Sequence, residues 1–185
     1  MAQAWAESEC ELVIRVIGMF WGRKRKDEVM AEEGTATIED LLKPENVQIM
    51  DGVSDWREAV RISLAPLERG GFVETRYAEN IIADTLEIGP YYVLTDDIAL
   101  IHARPEEGAL KKQLAVTLLR RPVSFGEGMN SVRVLFALAA EDPNSHIEAI
   151  RLLANFCMDE EKVKRLIACV SSEEIYCLIM DSTCE

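Results

Sequence analysis

The run Ile98-Ala99-Leu100-Ile101 leaves this chain few options, because it is apolar at every position and then stops. A strand with one face in water alternates apolar and polar residues. A strand apolar on both alternating faces has to be covered from both sides. Pro105 ends the segment, since proline has no amide donor and pushes Arg104 toward an extended conformation. Leu114 to Leu119 is a second strand candidate. Val132 to Ala140 is a third apolar stretch, broken only by Arg133; it reads best as a central strand, although alanine-rich runs also suit helices. Val47-Gln48-Ile49 alternates and forms a short strand ahead of the turn pair Asp51-Gly52.

Helical patterns fill the intervals. Thr37-Ile38-Glu39-Asp40 opens a short helix through Leu42 that Pro44 closes. Ser54 caps the next helix, with Asp55 and Glu58 near its positive end and Trp56, Ala59, Val60, Ile62, Ser63, Leu64 and Leu67 on its buried face. Gly70-Gly71 ends it. A helix from about Thr75 to Leu86 buries Tyr77, Ile81, Ile82 and Leu86. Asn144 or Ser145 caps a helix to about Cys157. Asp159 opens another that carries Val163, Leu166, Ile167 and Val170, and Ser171-Ser172-Glu173-Glu174 is a capping box for a last helix packing Ile175, Leu178 and Ile179. Strands interleaved with helices, then terminal helices, define an α/β fold: a mixed β-sheet flanked by helices, with a helical C-terminus. The pattern leaves the strand order open.

At 185 residues, 49% hydrophobic and 29% charged, the chain supports one ordinary domain with a real core. Its formal net charge of −13 argues against general binding to nucleic acid or anionic lipid, and favours a partner with a basic docking face. The five cysteines (Cys10, Cys157, Cys169, Cys177, Cys184) show no metal-ligand spacing and read as free thiols of a reducing cytoplasm. Cys157, Cys169 and Cys177 fall in apolar helical patterns, as small core residues. Residues 1–36 form a leader ahead of a domain spanning 37–185. Its apolar part, Leu12 to Trp21, is half the length needed to cross a bilayer, and Glu7, Glu9 and Glu11 precede it where a signal peptide would be basic. A solvated linker and a short docking helix are both open for it.

His102 follows the apolar run, where a buried strand is expected to surface; that is the usual place for ligand chemistry in open α/β sheets. A histidine at the end of such a run also serves as a satisfied packing residue. A neutral imidazole is nevertheless a competent nucleophile toward phosphorus near pH 7, with no base needed to activate it. The only other histidine, His146, falls in the first turn of a helix, which suits either anion contact or a polar cap position. Arg104 can offer several donors to phosphate oxygens, or pair with Glu106 or Glu107. No metal-ligand set or glycine-rich phosphate loop appears.

Gly89-Pro90-Tyr91-Tyr92-Val93-Leu94, Ile98-Ala99-Leu100 and His102-Ala103-Arg104-Pro105-Glu106-Glu107-Gly108 together resemble the phosphorylation region of the mannitol/fructose-type (type-2) IIA proteins of the bacterial phosphoenolpyruvate:sugar phosphotransferase system. The wording is most similar to the ascorbate-type branch. Ser54-Asp55-Trp56-Arg57-Glu58-Ala59-Val60 and Asn144-Ser145-His146-Ile147-Glu148 extend the resemblance over roughly Thr37 to Met180. The family usually has Pro-Gly where this chain has Asp96-Asp97, and proline where it has Ile101. Many mannitol-type relatives also carry a phosphate-assisting arginine near Thr85, a job threonine cannot do.

The resemblance implies a cytoplasmic phosphotransferase without a cofactor. His102 would accept a phosphoryl group from HPr at Nε2 as a tele-phosphohistidine. His146 would lie beside it and hydrogen-bond the phosphoryl group, with Arg104 a further stabilising candidate. The group would pass to a cysteine of a IIB component, and so indirectly serve a membrane IIC, for uptake of ascorbate or a pentitol-like sugar. No nucleic acid partner and no direct membrane insertion are implied. Two other readings stand beside this: a regulatory module of the same fold whose phosphorylation controls a transcription regulator or transporter, and a binding domain that no longer accepts phosphate.

Overall fold

The computed structural model describes residues 38–126, 131–142, 149–150, 153, 156–157 and 159–181. The leader (1–36), His146 and most of the helix expected after Asn144 lie outside the described residues.

Helix α1 (Ile38–Leu41) leads directly into strand β1 (Leu42–Met50). The strand begins well before the expected Val47, and Pro44 lies inside it instead of closing a helix. Proline is tolerated there because β1 is an edge strand, and the register with its neighbour shifts between Leu42 and Val47. Helices α2 (Trp56–Arg69) and α3 (Arg76–Ile88) follow. Then come β2 (Val93–Thr95), β3 (Asp97–Ile101), a single 3₁₀ turn at Pro105–Glu107, β4 (Gln113–Ser124) and β5 (Ser131–Ala139). Helices α4 (Glu160–Ala168) and α5 (Ser172–Asp181) complete the described chain.

The strands form one sheet in the order β1-β4-β5-β3-β2. β1 runs parallel to β4, β4 antiparallel to β5, β5 parallel to β3, and β3 antiparallel to β2. The three central strands are the three apolar runs, as double-sided burial requires. One face of the sheet (Leu100, Val116, Phe136, Leu138) packs against Ile175 and Ile179 of α5 and against the helical residues Ile150 and Leu153. The other (Ala99, Ile101, Ala115, Leu135) packs against Val60, Leu64 and Leu67 of α2 and Tyr77 and Ile81 of α3.

Pro66 stands inside α2, where it has no N–H for the carbonyl of Ile62 one turn back. Gln48 on β1 supplies the missing donor. Its Nε2 lies 2.8 Å from Ile62 O and 2.9 Å from Thr117 Oγ1, tying helix to sheet at the proline.

Several expectations change at the ends of elements. The cap of α2 is Asp55 and not Ser54: the Asp55 carboxylate accepts from Glu58 N at 2.9 Å. Leu86, on the outer side of α3, is 63% exposed. α4 stops at Ala168, so Val170 falls beyond the helix and is 73% exposed. Cys157 and Cys169 are buried as expected, but Cys177 is exposed on the outer face of α5. The box before α5 forms, with Ser171 Oγ accepting from Glu174 N, although Glu174 reaches back to Val170 N.

Candidate functional site

β3 starts in an unusual conformation. Asp97 has φ +71°, a left-handed value that glycine adopts freely and a Cβ resists. Arg133 on β5 lies 3.4 Å from its carboxylate. The strand then runs beside β5 until Ile101 faces Ala137. His102 is the first residue beyond that ladder.

The imidazole Nδ1 lies 2.7 Å from the carbonyl oxygen of Leu100. A carbonyl only accepts, so Nδ1 carries the proton and the lone pair of the neutral ring is on Nε2. The backbone around the ring is pinned by two phenols. Tyr91 donates from its hydroxyl to His102 O at 3.0 Å, and its ring meets the imidazole edge-on, with centroids 5.7 Å apart at 89°. Tyr77 accepts from Ala103 N at 2.9 Å and lies 3.1 Å from both Ala103 O and Leu138 O. Its one hydroxyl proton serves one of those carbonyls at a time. Burial pushes the Tyr77 phenol well above its ordinary range, so it stays protonated and keeps both roles.

The sequence places His102 where the strand surfaces. The structure instead buries it, at 1% exposure. The segment after β3 does not turn outward at once: Tyr77 holds Ala103 against α3 and β5, and Tyr91 lies against the ring.

Arg104 pairs with Glu107, its Nη2 3.2 Å from Oε1, with both side chains about three-quarters buried. Thr85 is structural: Oγ1 donates to Ile81 O at 2.7 Å and so accepts from the Tyr92 hydroxyl at 2.9 Å. His146 lies outside the described residues. Among the described residues, no group of three or more His, Cys, Asp or Glu is placed to hold a metal, and no helix is long and apolar enough to cross a membrane.

Tyr77 was legible only as a core residue. The signal for more was its hydroxyl, because a buried phenol has to find a polar partner and the partners here flank His102.

A buried histidine with a fixed proton, at the end of a central strand in a helix-covered mixed sheet, defines a candidate phosphoryl-carrier site. Residues 40–182 match the family described as "Phosphoenolpyruvate-dependent sugar phosphotransferase system, EIIA 2". The chain is 32% identical over 138 residues to the mannitol-specific cryptic phosphotransferase enzyme IIA component of Escherichia coli, covering 75% of this chain and 94% of that one. It is 34% identical over 143 residues to the E. coli ascorbate-specific enzyme IIA component, covering 76% and 93%. Among solved structures, the E. coli IIA-mannitol protein in its complex with phosphorylated IIB-mannitol superposes with a TM-score of 0.66 at 27% identity, covering 76% of this chain and 97% of that one. The chain belongs to the type-2 enzyme IIA family of the sugar phosphotransferase system. It is a phosphotransferase of that system.

Proposed function

We propose that His102 takes a phosphoryl group from phospho-HPr onto Nε2 and delivers it to a cysteine of a IIB component, in support of ascorbate or pentitol-like sugar uptake. The observation that carries this reading is the Nδ1 contact to Leu100 O, which leaves Nε2 as the nucleophilic atom. In the first step the donor's N–P bond breaks as the Nε2–P bond forms. The ring becomes cationic, and the Leu100 carbonyl faces its Nδ1–H. In the second step the cysteine sulfur attacks phosphorus and Nε2 leaves as neutral imidazole, still carrying the Nδ1 proton. No proton moves on His102 in either step, so what remains is positioning and charge stabilisation.

Because the ring is buried, acceptance includes an opening step that brings Nε2 to the donor. Arg104 is the cation at hand for the phosphoryl oxygens once it exchanges Glu107 for them. The role of His146 as a donor to the same group follows from the family resemblance. The solved IIA–IIB complex of the mannitol relative supports a IIB acceptor.

The test is incubation with phosphoenolpyruvate, enzyme I and HPr, followed by mapping of acid-labile phosphate. Label on the native protein and none on His102→Ala is the expected result. Label that survives in His102→Ala removes the assignment. Onward transfer to IIB separates a carrier from a regulatory module.

A further inference from the structure

The ion pair next to His102 is drawn further out of water than ion pairs elsewhere on the molecule. The Arg104 and Glu107 side chains are 22% and 24% exposed, whereas Arg61–Glu79, Arg76–Glu74 and Arg133–Asp97 leave 38% or more of each partner exposed. A solvent-exposed pair breaks at little cost, but a partly buried carboxylate deprived of its cation is left poorly solvated.

The main chain of Glu107 is held independently of that carboxylate. Its N–H donates to Arg104 O at 3.0 Å, and its carbonyl accepts from Asn80 Nδ2 on α3 at 2.9 Å. Arg76 Nη2, also on α3, donates to Glu106 O at 3.3 Å. The 3₁₀ turn is therefore tied to α3 through its backbone, and the Glu107 side chain pairs with Arg104.

Arg104 is also placed to serve the imidazole. Ile101 and Ala103 both belong to the core under α2 and α3, so backbone alternation continues past β3 and sends His102 and Arg104 to the same side. Arg104 itself is extended, with φ −62° and ψ 151°. Two extended residues separate the two Cα atoms by about 7 Å, within the reach of an arginine side chain. A second carboxylate stands nearby. Asp84 on α3 has its pKa raised by burial and then by the Glu107 charge, with Arg104 opposing. If Arg104 leaves, Glu107 and Asp84 repel each other with no cation to offset them.

We propose that Glu107 is a positioning residue that competes with the phosphoryl group for Arg104 and so keeps phospho-His102 a strong phosphoryl donor. This rests on the reading of His102 as the phosphoryl acceptor. When the Nε2–P bond forms, Arg104 exchanges the Glu107 carboxylate for phosphoryl oxygens, and the buried pair is lost. When that bond breaks and the S–P bond to the IIB cysteine forms, Arg104 returns to Glu107. The same free energy that weakens acceptance thereby favours release, which a carrier needs because a phosphoryl group held too firmly is not passed on.

The test is the equilibrium constant for phosphoryl transfer from phospho-HPr to the full chain, read by ³¹P spectroscopy, together with the rate of onward transfer to IIB. Glu107→Gln should raise the equilibrium constant about fivefold, the worth of one ion pair at the upper end of the exposed range, and slow onward transfer. A merely structural role for Glu107 would leave the constant unchanged or lower it. Glu107→Asp, which keeps the charge but draws it back, should shift it in the same direction by less. In an Arg104→Gln background the gain from Glu107→Gln should vanish. An equilibrium constant at or below the native value in both Glu107 variants, with His102 still labelled, overturns the proposal and leaves the carrier reading standing. An equal gain with and without Arg104 also overturns it. No label on the native protein removes the carrier reading, and the proposal with it.

Discussion

The imidazole Nδ1 of His102 lies 2.7 Å from the carbonyl oxygen of Leu100, two residues earlier in the same chain. The partner is backbone, so no side-chain substitution at Leu100 removes it, and the proton on Nδ1 is set by the path of the strand. What side chains control is the backbone on either side of the ring.

Tyr77→Phe tests that control. Removing the hydroxyl leaves Ala103 N without its acceptor and deprives the carbonyls of Ala103 and Leu138 of their donor, all in the core. The expected loss is about 1–3 kcal/mol of unfolding free energy in urea titrations. The initial rate of phosphoryl acceptance should fall while the site of labelling stays at His102. Unchanged stability would mean that the phenol is not what holds this segment.

Gln48→Ala removes the donor that replaces the missing proline amide in α2 and returns Ile62 O to an unpaired state. Destabilisation of about 1–3 kcal/mol is expected, again from denaturant titration. Adding Pro66→Ala restores a backbone N–H for Ile62 O. The double variant should therefore recover part of the loss, and the absence of recovery would contradict the role given to Gln48.

Asp97 occupies a left-handed conformation that glycine adopts freely and a Cβ resists. Asp97→Gly relieves the backbone but gives up the half-exposed pair with Arg133, which is worth about 0–1 kcal/mol. Asp97→Ala keeps the strain and also loses the pair. The ranking in thermal unfolding should place glycine above alanine by about 1 kcal/mol. Alanine equal to glycine would show that the φ value carries no cost.

Asp84, on α3 close to the His102 segment, has its pKa raised above the ordinary 3.8 by burial first, then by the Glu107 and Glu87 charges, with Arg104 opposing. Between the ordinary and the raised value the folded protein holds a proton that the unfolded chain has released. Stability therefore falls as pH rises through that window, and the cost persists at neutral pH. Asp84→Asn should be more stable than the native protein at pH 7, with the difference shrinking as pH falls through that window toward 3.8. A difference that grows on acidification would reverse the assigned sign.

Much of this architecture was legible in the sequence because double-sided burial leaves a direct mark. Ile98–Ile101 and Leu114–Leu119 sit in two of the three central strands, and Val132–Ala140 supplies the third, which stops one residue short at Ala139. Their order was not legible, since every one of these strands is apolar on both faces and none has a pattern that selects its neighbour. Edge features misled for physical reasons. Pro44 resembles a helix stop but is accommodated by an edge strand with shifted register. Leu86 and Val170 fit a helical apolar spacing yet fall on an outer face and past a helix end. At the site, the position of His102 followed from the strand's end. Its burial did not, because that depends on Tyr77 and Tyr91 reaching back from other parts of the chain.

The most direct test of the central claim is long-range ¹H–¹⁵N correlation of the His102 ring before and after phosphorylation through enzyme I and HPr, with ³¹P coupling read at the ring nitrogens. The account predicts a neutral ring protonated on Nδ1 in the free protein and phosphorus bonded to Nε2 afterwards. Phosphorus on Nδ1, or on His146 with His102 unmodified, would contradict it.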